Sequence, residues 1–209
     1  MQILHLGVLL AAAWSVLALV SMYLKAKAYG QRKLYSKPAG DPAAGVFYAF
    51  TKGMAPWAKE SVMMNLPSYG AGMVFHTGVF TAFGLLLMAL LGLRLPSGPL
   101  TLARLLTLAG GFAGFSLLLK RCLNPQLRGL SCPDDYVSNV LTSTFALLAF
   151  LASFGPAFGA VWTTGAILLL VYAPLGKIRH CLFFFTTRRH LGAFFGRRGT
   201  YPPGGSYHA

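Results

Sequence analysis

The sequence predicts an all-α fold, an integral membrane bundle of five transmembrane helices with the N-terminus out and the C-terminus in. Three observations carry this expectation. Apolar residues make up 56% of the chain and charged residues 11%, whereas a soluble domain carries about a quarter charged residues. Five stretches approach the about 20 apolar residues needed to cross a bilayer. Of the eighteen lysines and arginines, all but Arg94 and Arg104 fall on one side of those stretches.

The first stretch, residues 3–24, ends before Lys25, Lys27, Arg32 and Lys33. Its positive charges follow the apolar run instead of preceding it, so it is expected to be an uncleaved first helix, although Ala11–Ala13 resembles a cleavage region. The second and third stretches are residues 69–93 and 100–119. The fourth, 136–154, is the least apolar and carries Ser138, Asn139, Thr142, Ser143 and Thr144 in its first half. Such groups are expected to face other helices or a cofactor rather than lipid. The fifth, 158–185, contains Pro174 and Gly176, which would bend or loosen it. On the third, Gly110, Gly111 and Gly114 permit close approach, either of a neighbouring helix or of a cofactor.

The formal net charge of +14 is then a positive-inside asymmetry, not a nucleic-acid signal. The four acids, Asp41, Glu60, Asp134 and Asp135, map to the same inner side. Residues 1–198 read as one membrane domain and 199–209 as a flexible cytoplasmic tail, in which His208 is solvated. The connection 30–67 alternates Phe47, Tyr48, Phe50 and Trp57 with Lys52 and Lys59. That pattern suits a segment in the membrane interface, and equally one that docks an inner-side protein. Asp134 and Asp135 after Pro133 are an ordinary helix start, with partner contact as the alternative. Cys122, Cys132 and Cys181 show no C-x-x-C spacing and read as buried or interfacial thiols without an iron–sulfur or zinc site.

An ionisable residue within a span is a functional-site hypothesis by default, and two histidines qualify. His76 lies about 10 Å from the inner surface by helix rise, and His180 lies about 12 Å from the same surface by the same rise. Two imidazoles at one level on two helices are what a haem with two axial histidines requires. Gly72, one turn before His76, leaves a gap beside the ring, and Val79 and Phe80 supply an apolar wall. Lys177 and Arg179 flank His180 and either pair with haem propionates or are positive-inside anchors. His190 follows Arg188-Arg189 and is the rival ligand. His5 is placed at the outer interface, with a quinone or neighbouring subunit as its alternative contact.

The patterns Val74-Phe75-His76-Thr77-Gly78 and Pro174-Leu175-Gly176-Lys177-Ile178-Arg179-His180 resemble those of five-helix cytochrome b subunits. These are the relatives of the gamma subunit of respiratory nitrate reductase, including the Dsr, Hmc and Tmc types and the membrane subunit of heterodisulfide reductase. The resemblance covers the five spans, roughly residues 1–190. It implies one haem b with His76 and His180 as ligands of the haem iron. Two-haem members have a second pair of histidines where this chain reads Leu86 and Trp162, so the outer haem is expected to be missing. The resemblance further implies an electron-transfer subunit of a respiratory oxidoreductase complex in the cell inner membrane. Its partners would be membrane lipid, a cytoplasmic-side iron–sulfur subunit, other membrane or periplasmic cytochrome subunits, and menaquinone or ubiquinone, sought near the inner haem.

The competing reading is a haem-free structural membrane anchor whose histidines make hydrogen bonds. A transporter would need charged groups along a path at mid-membrane, and the spans hold almost none besides Arg104. A hydrolase finds no assembled acid–base or nucleophile cluster.

Overall fold

The computed structural model describes residues 2–30 and 36–203, apart from the side chains of Glu60 and Ser61. Arg32 and Lys33 of the first connection, and Gly204, Gly205 and His208 of the tail, lie outside the described residues. The described residues are mostly helical, with no strand among them. In chain order the helices are α1 (Gln2–Ala28), α2 (Pro42–Phe50), α3 (Glu60–Met63), α4 (Leu66–Leu90), α5 (Ser97–Leu123), α6 (Pro125–Gly129), α7 (Pro133–Ala152), α8 (Gly159–Tyr172) and α9 (His180–Arg197). Short 3₁₀ turns link α2 to α3 and precede α8 and α9.

Helices α1, α4, α5 and α7 are each long and apolar enough to cross a membrane. At most 28% of the most apolar window of any of them is buried within the chain. Leu9, Leu10, Leu17, Phe80, Leu105 and Phe112 are among the large side chains left facing outward. Such extensive apolar exposure requires an apolar solvent, so the protein is a multi-pass membrane protein with lipid against these faces.

The fifth apolar stretch is not one continuous helix; its two halves together are long and apolar enough for a fifth, broken span. It is broken between Tyr172 and Lys177, so that α8 and α9 are separate helices. Pro174 has no amide hydrogen to continue the ladder. The Lys177 N–H, which an unbroken helix would give to Ala173, donates instead to Asp134 Oδ2 at 2.6 Å. At Gly176 a Cβ would lie 2.5 Å from both Asp134 Oδ1 and the Tyr172 ring, so only glycine fits there.

The chain divides into two compact units. Unit 1 comprises Met1–Ala18 and Pro67–Ile178; unit 2 comprises Leu19–Leu66 and Arg179–Ala209. Helix α1 runs through the boundary between them.

In unit 1, Val8, Ala82, Leu86, Phe145, Ala149, Trp162, Ala166 and Leu169 form the core. Phe145 and Trp162 stack with ring centres 6.3 Å apart. Between membrane helices, burial of apolar surface drives little, because lipid is as apolar as leucine, and close van der Waals contact takes over. The glycines of α5 supply that contact. A Cβ at Gly110 would sit 2.6 Å from the Gly78 Cα of α4, and one at Gly111 would strike the Leu147 side chain of α7. Arg104 lies two turns into α5. Its Nε and Nη2 donate to the Ser153 hydroxyl at 2.9 Å and carbonyl at 2.6 Å, and its guanidinium lies 4.2 Å over Phe154. A cation at the C-terminus of α7 also meets the negative end of that helix dipole.

In unit 2, α2 packs on α9. Asp41 caps α2 by accepting from the Ala43 and Ala44 amides at 2.8 and 3.2 Å, and Pro42 occupies the first helical position. Gly45 faces Gly192 and Gly196 so closely that a Cβ at Gly45 would lie 2.4 Å from the Gly196 Cα. The connection 30–67 is therefore no plain linker; it contributes a helix that is half of this seam.

Candidate cofactor-binding residues

His76 sits on α4 and is exposed on the surface of unit 1. Its Nδ1 lies 2.7 Å from the Gly72 carbonyl oxygen one turn earlier. A carbonyl only accepts, so Nδ1 carries the proton, and in the neutral ring Nε2 keeps its lone pair. An imidazole ligand is commonly fixed in this way, with one nitrogen on a backbone carbonyl setting the tautomer for the other. Phe75 and Phe80 flank the ring, with centres 5.4 and 6.2 Å away. A Cβ at Gly72 would meet nothing within 4 Å.

His180 is the first residue of α9, exposed, and belongs to unit 2. Arg179 precedes it and is also exposed. His190, the rival, is on the same helix and exposed as well. The two expected ligands thus fall in different units.

Lys177 ends up in a polar node that the sequence did not reveal. Its ammonium meets Asp135 Oδ2 at 2.6 Å, and Asp135 also accepts from the Cys132 amide at 3.0 Å. Asp134 accepts from the Tyr172 hydroxyl, from the Ser138 hydroxyl at 3.0 Å, and from the Lys177 amide. Arg121 of α5 approaches Asp135 at 3.8 Å and donates to Ser131 at 2.7 Å. The node joins the ends of α5, α7 and α8. This bears out the helix-start reading of the two aspartates and extends it, because they also terminate α8. The retrievable signal was a Tyr and a Lys five residues apart around a Pro-x-Gly, on a chain with only four acids.

Leu86 and Trp162 are both buried in the unit 1 core. Beside them His5, with Ala89, Gly155 and Thr163, lines a cavity of about 200 Å³. A neighbouring cavity of about 500 Å³ extends past Trp162 to Arg94. The glycines of α5 are filled against α4 and α7, which is the packing role expected of them. Cys122, Cys132 and Cys181 are free and exposed on the chain, not buried. No group of three or more histidine, cysteine or acidic side chains able to hold a metal ion occurs among the described residues. A haem needs only two axial ligands, so that finding concerns bare-ion sites.

No protein-family model, curated protein or solved structure matches the chain.

Proposed function

We propose that this chain is a membrane electron-transfer subunit that binds one b-type haem through His76 and His180. The observation that carries the reading is the His76–Gly72 bond, which puts the proton on Nδ1 of an imidazole on a membrane helix, so that Nε2 is the nitrogen that would ligate. Haem supplies a one-electron carrier when bound. The protein's part is to hold the iron through His76 and His180, to wall the ring with Phe75 and Phe80, and to leave space at Gly72. Arg179 is the cation proposed for a propionate; Lys177 is already paired with Asp135. The charge asymmetry supports an N-terminus outside and a C-terminus inside, in a cell inner membrane. Electrons would pass between the quinone pool, or companion cytochrome subunits, and a cytoplasmic-side iron–sulfur partner.

A haem-free anchor is the second reading, and the same bond favours it, since an intrahelical acceptor also satisfies a purely structural histidine. A reduced-minus-oxidised spectrum of the purified protein separates the two. A b-type α band is expected, lost in His76→Ala and in His180→Ala. A colourless protein that is fully folded and remains so when supplied with haem would end the cytochrome reading.

A further inference from the structure

Helix α7 has acids at one end and open space at the other. Its first turn holds Asp134 and Asp135, the two acids of unit 1. Its last turns, through Ala149 and Ala152, wall the cavity of about 500 Å³ that extends to Arg94. From Asp134 to Ala152 the helix rises about 27 Å, so neither carboxylate reaches that cavity. Both described ion pairs use Asp135, and exposed Arg94 has no carboxylate partner among the described residues.

Two further features make the same corner electropositive. Arg104 donates to Ser153 and lies over Phe154, and both of those residues line the cavity. Helix α5 also begins there, between the lining residues Leu95 and Leu100, and Pro96 gives its first turn no side-chain cap. Free amides at a helix start favour negative charge.

The rest of the wall is largely apolar, with Leu85 and Met88 from α4, Leu100 from α5 and Trp162 from α8. Leu85 and Met88 lie in the last turns of α4, and Arg94 follows after that helix has ended at Leu90. The cavity therefore runs from the apolar part of a span to a cation at the end of it. Its volume falls in the range of small-molecule sites, about 300–1,000 Å³. A purely apolar guest would leave the cation unused, and an inorganic anion would leave the apolar wall unused.

We propose that this cavity holds one acyl chain against Leu85, Met88 and Trp162, with its anionic head, a carboxylate or a phosphate, on Arg94. The planar guanidinium forks onto two oxygens of the head, and burial of the chain supplies the remaining affinity. Arg104 stays on Ser153 and adds only its field.

The full chain in detergent, photolysed with palmitate that carries a diazirine at its tail end, tests the site by peptide mapping. Label is expected on Leu85, Met88 or Trp162, displaced by excess palmitate but not by its uncharged methyl ester. Arg94→Gln should lower labelling at a sub-saturating probe about tenfold, the low end for a hydrogen bond to a charged group. Arg94→Lys, which keeps the charge without the fork, should lose less. Ala89→Phe fills the space from α4 and leaves Arg94 in place. It should remove the label from the three residues, and it keeps the test decisive if the Arg94 variants do not fold. Competition by phosphatidylglycerol as well as palmitate would assign the head to a phospholipid; competition by palmitate alone would assign it to a free carboxylate. Label that excess palmitate does not displace, equal displacement by the methyl ester, or unchanged labelling in a folded R94Q protein overturns the proposal.

Discussion

Units 1 and 2 are assembled by the same device and carry excess positive charge to different degrees. In unit 1, Gly78 and Gly110 let α4 and α5 meet backbone to backbone and Gly111 seats the Leu147 side chain of α7; in unit 2, Gly45, Gly192 and Gly196 let α2 and α9 meet backbone to backbone. Unit 1 sets six cations against two acids, with Lys177 and Arg121 on Asp135 and Arg104 hydrogen-bonded to Ser153. Unit 2 sets twelve cations against two acids, and no ion pair is described within it. The contrast teaches that close helix packing does not require charge balance.

The shared device can be broken most severely at its glycines. Gly110→Ala and Gly45→Ala each drive a methyl into an opposing backbone that cannot rotate away. Both should cost about 1–3 kcal/mol, the range for overpacking. Gly72→Ala, with open space around its Cβ, should cost nothing and gain up to about 1 kcal/mol from helix propensity. Denaturant titration followed by circular dichroism in detergent reads all three. If Gly45→Ala proved as harmless as Gly72→Ala, the seam would not be common to both units.

The charge contrast is sharpened at the acids, with smaller effects. Asp134→Ala leaves the Tyr172 hydroxyl, the Ser138 hydroxyl and the Lys177 amide without their acceptor, and should destabilise by about 1–3 kcal/mol. It should also raise amide hydrogen exchange at Lys177, because α8 loses its terminator. Asp41→Ala removes only a helix cap and should cost about 1 kcal/mol. Equal losses at the two positions would mean that the cross-helix bonds of Asp134 add nothing beyond local capping.

The membrane helices were legible because a span is a property of one continuous segment. The expected stretches 3–24, 69–93, 100–119 and 136–154 correspond to α1, α4, α5 and α7 within a turn of helix at each end. The extra residues are terminal ones such as Lys120 and Asp134, which a hydropathy reading trims away. The fifth stretch breaks where Pro174 and Gly176 were expected to bend or loosen it, and hydropathy alone joins its two halves because α8 and the start of α9 are both apolar. What interrupts it is Asp134, a residue 43 positions from Lys177, and no local pattern carries that information. Pro174 and Gly176 pointed to the place of weakness without saying that the helix stops.

The candidate site divides along the same line. His76 and Gly72 lie one turn apart on α4, so helical periodicity alone paired them, while the Gly72 carbonyl as the acceptor for Nδ1 appeared only in the structure. Lys177 was expected either beside a propionate or as an anchor, and its partner Asp135 appears only once α7 and the end of α8 are packed together.

By itself the sequence determined an all-helical membrane protein, its spans in α1, α4, α5 and α7, and the α4 histidine, because hydropathy and a 3.6-residue period act over neighbouring residues. Only the tertiary structure decided which glycines meet, where the fifth stretch breaks, and which charges are paired. Those outcomes depend on groups tens of residues apart arriving within 3 or 4 Å of one another, a distance that sequence separation does not encode.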